Sequence, residues 1–269
     1  MKIFCNQGLC DKEKISEIFE PGFLFGWGVF EVLRTYKENI PFLDLHIQRL
    51  NNSLNLIGID TVSLDWEKEI RSLLSENNLD DAYVRITVYK KRKETGVLIY
   101  ADKFGYYPSP VYEKGFTSII SPYKRNTNEI SSKVKSLSYL NNRLSWFYAQ
   151  RKAKSEALVL NEYDFLIGGA RSNLFLVKND EVVTPSGLSG AFSGITKQII
   201  FRILKDLDIK IREEKIVPSA LGECQEAFIS SALMEVMPLI EYEGRPIGGG
   251  KPGKITLEIL SKYRELVYG

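Results

Sequence analysis

The pattern of apolar and polar positions along this chain predicts both helices and strands. Apolar residues spaced three and four apart mark the buried stripe of a helix. In HIQRLNNSLNLIGI, Leu50 and Leu54 fall on one such stripe, and Gly58 is placed to end the helix. Ser63 is the candidate N-cap of the next helix. This spacing predicts helices at 46–59, 63–78, 139–153, 195–207 and 254–266.

Runs rich in β-branched and aromatic residues predict strands between these helices. The predicted strands are 83–89, 97–101, 116–121, 156–160, 173–178, 181–185, 208–216 and 226–231. Strands and helices intermix without strict alternation, so we expect an α+β (mixed α/β) fold with mixed sheets rather than a doubly wound parallel sheet.

The stretch FGYYPSPVY (104–112) interrupts the pattern. The residues before Pro108 and Pro110 favour extended backbone, and the stretch fits neither a helix nor a regular strand. We therefore predict an interdomain linker at 104–112. It would join a small N-terminal α/β domain (1–103) to a larger C-terminal domain (113–269), which a length of 269 residues allows.

Composition excludes several classes of protein. Hydrophobic residues make up 44% and charged residues 26%, which is typical of a globular chain. A net charge of +2 argues against nucleic-acid partners and anionic membranes. No apolar run has the length of a membrane span or a signal peptide. Three cysteines are too few for a disulfide framework, and we expect a cytoplasmic location.

The single histidine, His46, excludes a metal site with two or three histidine ligands from one chain. On a predicted helix beside apolar residues, it fits a packing or positioning role better than a catalytic one. General bases elsewhere must then be Lys, Tyr, Asp, Glu or Cys. The glycine-rich GGGKPGKIT (248–256) follows the phosphate-loop pattern for seven positions. Ile255 occupies the eighth, so we interpret it as a turn before the last helix.

Two further features stay open on the residues alone. Lys135 lies between Val134 and Leu137, where burial would make its amine a usable nucleophile, although a surface lysine has the same local pattern. SGIT (193–196) precedes a predicted helix whose free N–H groups would bind an anion, although many helices begin with such residues.

Taken in order, several segments resemble the class IV aminotransferases, the fold-type IV family of pyridoxal 5′-phosphate (PLP) enzymes. The family includes branched-chain aminotransferases, D-amino acid aminotransferases and 4-amino-4-deoxychorismate lyases. The matching blocks are GWGVFEVLRTY (26–36), LDLHIQRLNNSL (43–54), VKSLSYLNN (134–142), SNLFLVKNDEVVTP (172–185), SGITKQ (193–198) and SSALMEVMPL (230–239). The resemblance implies a two-domain fold like that of D-amino acid aminotransferase, PLP between the domains, and a homodimer.

The resemblance also assigns roles to individual residues. It makes Lys135 the catalytic Schiff-base lysine and places Arg49, Ile195 and Thr196 at the PLP phosphate. Tyr139 resembles a tyrosine near the cofactor's phenolic oxygen, once a one-residue gap is allowed. The remaining implied cofactor contacts are Gly168, Ser172, Asn173, Gly194, Ser231 and Ala232. No metal is implied.

The chain departs from the family pattern at three places. The glutamate that faces the pyridine nitrogen falls on Gly168, and a phosphate-binding threonine falls on Ala232. The segment YKKRKETG (89–96) lacks an RG-type loop near the substrate carboxylate. With glycine at 168, we expect a largely neutral ring nitrogen unless another acid, such as Glu31, or a water chain takes the glutamate's place.

The resemblance implies an aminotransferase that moves an amino group from an amino acid to a 2-oxo acid. Two alternatives stay open at this point. One is a lyase that releases pyruvate from 4-amino-4-deoxychorismate, since the wording ALMEVMP is closer to the lyases. The other is a PLP-binding protein with little turnover, which the glycine at 168 would explain.

Overall fold

The structure is a computed structural model that describes residues 1–5, 8–37, 39–105 and 107–269. The strands are β1 (Lys2–Cys5), β2 (Gly8–Asp11), β3 (Gly28–Arg34), β4 (Ala82–Lys90), β5 (Thr95–Lys103), β6 (Phe116–Ile120), β7 (Glu156–Leu160), β8 (Leu166–Gly169), β9 (Asn173–Lys178), β10 (Glu181–Pro185), β11 (Ile211–Glu214), β12 (Glu226–Ser231), β13 (Glu235–Tyr242) and β14 (Arg245–Pro246). The α-helices are α1 (Pro21–Leu24), α2 (Leu43–Leu56), α3 (Trp66–Glu76), α4 (Ser109–Lys114), α5 (Ile130–Lys133), α6 (Leu140–Arg151), α7 (Ile195–Asp206) and α8 (Lys254–Tyr268). Among the described residues, no helix is both long and apolar enough to cross a lipid bilayer.

A small antiparallel sheet, β3-β4-β5, organises the first core. Its central strand β4 alternates buried and half-buried residues, as a strand with one packed face does. Leu50 and Leu54 of α2 and Ile70 of α3 pack against this sheet and are almost completely buried. The helical stripe predicted from the sequence is therefore the buried stripe of α2.

A nine-stranded sheet organises the second core, in the order β11-β10-β9-β12-β13-β6-β7-β8, with β14 beside β13. The pairs β10–β11, β6–β7 and β6–β13 are parallel, and the others are antiparallel. Phe175 and Phe228 stack across β9 and β12 with ring centroids 4.6 Å apart. The predicted mixed-sheet α+β fold is confirmed.

Most predicted elements form close to their predicted bounds. The strands at 156–160, 173–178, 181–185 and 226–231 have the predicted ends. The second helix begins three residues late because Asp65, not Ser63, caps it: the Asp65 carboxylate accepts the Lys68 amide at 3.1 Å. The strands that the pattern did not predict include β3, β8 and β13. These three carry glycines or a proline, which disguise a strand pattern.

The proposed linker is partly helical, which corrects our expectation of irregular structure. Its last four residues lie in α4, where Pro110 occupies the first turn. Proline fits there because first-turn N–H groups have no partner inside the helix. Tyr106 lies outside the described residues. The domain boundary at 104–112 stays a prediction.

Candidate active site

One cavity of about 590 Å³ brings together residues from both sheets and from the start of α7. It contains ten of the residues that the sequence placed at a cofactor. These are Arg49, Lys135, Tyr139, Ser172, Asn173, Gly194, Ile195, Thr196, Ser231 and Ala232. Gly168 is the exception: it lies in β8 between Ile167 and Gly169, which both reach the cavity.

Backbone pairing with β3 positions Lys135 at the cavity. The Phe30 amide donates to the Lys135 carbonyl at 2.8 Å, and the Leu137 amide donates to the Gly28 carbonyl at 2.9 Å. The Lys135 amine then lies 4.8 Å from the Phe30 ring centroid and 5.7 Å from that of Phe192. The segment that carries the lysine is thereby held against the smaller sheet.

The surroundings of Lys135 favour its neutral amine. Burial lowers the pKa of Lys135 to about 8, and repulsion from Arg49, Arg85 and Arg125 acts in the same direction, whereas Glu31 opposes it. A lysine with this pKa is a usable nucleophile and proton carrier near neutral pH. Of the two readings left open for Lys135, the structure supports the buried amine.

Arg49 is fixed by a buried carboxylate. Its Nε and Nη2 donate to the two oxygens of Glu31 at 2.7 and 2.6 Å. Burial would raise the pKa of Glu31, but the attraction of Arg49 and the hydrogen bonds from Arg49 and His46 lower it to about 2. Glu31 is therefore ionised, and its partner Arg49 is held rigidly at one end of the cavity.

His46 supports the same pair from behind. Its Nδ1 lies 2.8 Å from Glu31 Oε2, and the ionised carboxylate makes the ring nitrogen the donor. The ring is buried, and burial lowers its pKa. His46 thus orients Arg49 through Glu31, the positioning role that its sequence context favoured.

The start of α7 forms the wall next to Arg49. Arg49 Nη1 donates to the Ser193 carbonyl at 3.0 Å, directly before the N-cap Gly194. Thr196, in the first turn, is buried at the cavity. First-turn amides have no partner within the helix, so this end of α7 suits an anion.

The turn before α7 requires glycine at position 194. A Cβ there would collide with the Asn173 side-chain oxygen. Asn173 in turn donates to the Phe192 carbonyl at 2.6 Å and so holds the turn from below. Gly194 and Asn173 thus shape the cavity wall rather than act on a substrate.

Hydroxyl groups line the rest of this region. The Tyr139 hydroxyl donates to the Ala170 carbonyl at 3.4 Å, and burial raises the pKa of Tyr139. Ser231 accepts the Met234 amide at 3.3 Å. The Ser230 hydroxyl is buried and has no partner within the described part of the chain, so it is available to a bound group.

Sequence reasoning assigned no role to three arginines that line the cavity, Arg85, Arg125 and Arg143; Arg171, three residues after Gly168, lines it as well. Within the described residues, none of the first three has a carboxylate at ion-pair distance, and Arg171 Nε lies 4.0 Å from Glu156. Arg85 stacks on Phe30 at 3.8 Å and Arg171 on Trp146 at 4.6 Å. These arginines are scattered along the chain and form no local motif. The sequence therefore offered only their charge as an indication that they bind an anion.

The structure also corrects one expectation about position 168. Glu31 does not replace the missing glutamate, because Arg49 and His46 occupy its oxygens. Gly168 itself has φ +136°, and a Cβ would lie 2.7 Å from the Ser172 carbonyl oxygen. A glutamate at 168 would therefore be strained in this backbone.

Comparisons with known proteins agree with this geometry. The chain matches the family described as Amino-transferase class IV over residues 28–242. It is 31% identical to a putative branched-chain-amino-acid aminotransferase of Methanocaldococcus jannaschii, over 99% of this chain and 96% of that protein.

Solved structures show the same relationship. The Escherichia coli branched-chain aminotransferase superposes with a TM-score of 0.89 at 26% identity, covering 97% of this chain and 93% of that one. The branched-chain aminotransferase of T.th., solved with pyridoxamine 5′-phosphate, gives a TM-score of 0.88 at 26% identity, covering 100% and 94%. These relatives do not favour the lyase alternative. The resemblance drawn from the sequence is confirmed, and the chain belongs to the class IV aminotransferase family and is an aminotransferase.

Proposed function

We propose that this enzyme uses PLP, with the phosphate between Arg49 and the start of α7 and the reactive aldehyde carbon at Lys135. The observation that carries the proposal is the common cavity that holds Lys135, with its lowered pKa, and the Arg49–Glu31 pair at the start of α7. A relative with the same fold was solved with pyridoxamine 5′-phosphate.

The residues present fit such a group. A phosphate dianion needs charge-assisted donors, which Arg49 and the first amides of α7 supply. The buried Ser230 hydroxyl, which lacks a partner among the described residues, offers a donor that Ala232 does not have. The rings of Phe30 and Phe192 flank the Lys135 amine and form apolar walls suited to a flat heteroaromatic ring.

The protein's own residues then have distinct tasks. Bound PLP supplies an electron sink for the substrate α-carbon. The Lys135 amine would accept the proton from the substrate α-carbon, as a base, and would donate a proton to the cofactor carbon on the other side of the transferred nitrogen, as an acid. Arg49, backed by Glu31, fixes the phosphate so that the reacting atoms stay next to Lys135. Phe30 and Phe192 keep water away from the amine.

The arginines point to the class of substrate. One substrate carboxylate would neutralise one guanidinium, yet Arg85, Arg125 and Arg143 lack an ion-pair partner among the described residues. Arg85 and Arg125 are half-buried, so an unpaired charge on them is costly unless the ligand compensates it, whereas Arg143 is an exposed residue of the lining. We therefore propose that one of the two amino-group carriers is a dicarboxylic amino acid with its 2-oxo acid. The second carrier is a monocarboxylic amino acid, as the names of the branched-chain relatives suggest.

Arg125→Met and Arg143→Met are expected to raise KM for glutamate or aspartate about tenfold or more. A hydrogen bond to a charged group contributes about 1.5–3 kcal/mol. KM for a monocarboxylic partner such as leucine should change little for at least one of the two variants. Lys124→Met and Arg151→Met are matched controls, since both residues lie outside the cavity lining. Equal KM changes for both substrate classes, or activity with neither class, would contradict the assignment.

We also propose a homodimer. Large apolar side chains are exposed in the first 27 residues and on α6, including Phe4 (72%), Phe25 (72%) and Leu140 (68%). Such exposure is typical of surfaces that a partner covers. Light scattering should give twice the chain mass of 30.7 kDa. Leu140→Glu should weaken the dimer, whereas Leu188→Glu, at a site elsewhere that is 93% exposed, should not. A monomer at micromolar concentration would refute it.

A further inference from the structure

We propose that Ser172, backed by the buried carboxylate of Glu156, contacts the pyridine nitrogen of the cofactor and takes the place of the glutamate missing at position 168. This inference rests on the proposed PLP site. Its starting point is the part of the cavity lined by β8, β9 and the turn between them, where the described residues place no acidic side chain in the lining.

Position 168 cannot supply a partner by a small rearrangement. Gly168 adopts φ +136°, which L side chains rarely adopt, and the Ser172 carbonyl blocks the direction of a Cβ. The next residue is also glycine, and a Cβ at Gly169 would collide with the Ser172 hydroxyl and lie 3.0 Å from the Glu156 carboxyl carbon. The two glycines thus leave Ser172 and Glu156 as the nearest polar side chains.

Elimination among the acids leads to the same residue. Within the part of the chain that the structure describes, no Asp or Glu lines the cavity itself. Among the described residues, two buried carboxylates lie outside the lining and hydrogen-bond to residues of the lining: Glu31 and Glu156. Glu31 is occupied by Arg49 and His46 at the phosphate end. Glu156 is therefore the carboxylate that remains for the part of the cavity lined by β8 and β9.

Glu156 is completely buried in β7. Its Oε1 accepts the Ala157 amide at 3.0 Å, and its Oε2 accepts the Ser172 hydroxyl at 3.1 Å. Arg171 Nε lies 4.0 Å from Oε2. Ser172 itself lines the cavity, so its hydroxyl links the buried carboxylate to the space where the ring would lie.

This arrangement can hold one proton at the ring nitrogen. Because the Ser172 hydroxyl donates to Glu156, its lone pairs are free to accept a ring N–H from the cavity. The negative charge behind the hydroxyl then favours the protonated ring, with Arg171 close enough to help keep Glu156 ionised. Burial raises the pKa of Glu156, whereas Arg171, the Ala157 amide and the Ser172 hydroxyl act in the opposite direction and stabilise the charged carboxylate. Ser172 and Glu156 therefore influence how strongly the ring nitrogen holds its proton, through a hydrogen-bonded chain of the ring nitrogen, the Ser172 hydroxyl and the Glu156 carboxylate.

The test is ¹⁵N NMR of the holoenzyme reconstituted with PLP labelled at the ring nitrogen, followed as a function of pH. Glu156→Gln keeps the shape and the acceptor but removes the charge, and Ser172→Ala removes the link. Ser121→Ala is the matched control, because Ser121 is a buried serine bonded to Ser145 and lies outside the cavity lining. Circular dichroism confirms folding of each variant.

Both variants should move the ring-nitrogen signal in the same direction, toward the neutral form, with at least a tenfold drop in the ratio of protonated to neutral ring, as expected for loss of a nearby opposite charge. The double variant should add little beyond either single change. Bound label with an unchanged signal in Ser172→Ala would overturn the inference, even if Glu156→Gln failed to fold. Label that does not bind the wild-type protein would instead refute the proposed PLP site.

Discussion

Replacing Lys135 with alanine is expected to abolish amino-group transfer. In the proposed mechanism the Lys135 amine carries the proton, and its pKa of about 8 suits it to act as both base and acid near neutral pH. Positioned general acid–base groups contribute about 10²–10⁴-fold to a rate, and loss of the covalent link to the cofactor adds to this. Single-turnover assays with PLP should show no conversion above the rate measured without enzyme. The visible absorption of the bound cofactor should also change.

Two control variants separate this loss from unfolding. Lys133→Ala, two residues earlier at the end of α5, should keep wild-type activity. Lys135→Met should be inactive yet at least as stable as the wild-type apo protein, because burial disfavours the charged amine. Substantial transfer by Lys135→Ala, or a borohydride-reducible cofactor adduct in it, would contradict the assignment.

Replacing Glu235 with alanine is expected to lower the free energy of unfolding by about 3–5 kcal/mol, the usual cost of breaking a buried ion pair by removing one partner. Glu235 is completely buried at the start of β13. It accepts Arg34 Nη1 and the Tyr36 hydroxyl at 3.1 Å each, and Arg264 Nε at 2.7 Å. These donors come from β3, the segment after it, and α8, so the carboxylate joins the smaller sheet to the larger one.

Chemical unfolding followed by circular dichroism measures this effect. Glu258→Ala is the control: Glu258 is exposed on α8, and surface changes usually stay within about 0.5 kcal/mol. A loss of stability below about 1 kcal/mol for Glu235→Ala would contradict the cost expected for a broken buried ion pair. It would show that Asp81, which pairs with Arg34 at 2.9 Å, is sufficient to compensate the guanidinium charge.

Much of the secondary structure follows from local sequence, because a regular element that packs one face repeats its apolar residues at a regular spacing. The β7, β9, β10 and β12 strands have the predicted bounds because each is a short, almost fully buried run of mostly apolar and β-branched residues. The local pattern did not predict β8 and β13, because Gly168, Gly169 and Pro238 are unfavourable in isolated strands. In the structure these residues pair with neighbouring strands. Their order in the nine-stranded sheet depends on contacts distant in sequence.

Some residues of the candidate site could likewise be predicted from local sequence, and others could not. Lys135, Arg49 and the turn before Ile195 and Thr196 were found from the sequence because each lies in a contiguous block that resembles the family. Their gathering at one cavity matches what the resemblance implied, while their contacts with PLP stay a proposal.

By itself the sequence determined the mixed α+β class, the family, and the residues that belong to continuous motifs. The tertiary structure alone decided which charged and polar side chains meet. Glu31 pairs with Arg49, 18 residues away, whereas Glu156 pairs with Ser172, 16 residues away in another segment. Arg85, Arg125 and Arg143 come together at one cavity from β4, a loop and α6. The energy of an ion pair depends on distance and burial, which sequence spacing does not encode across separate elements of a folded chain.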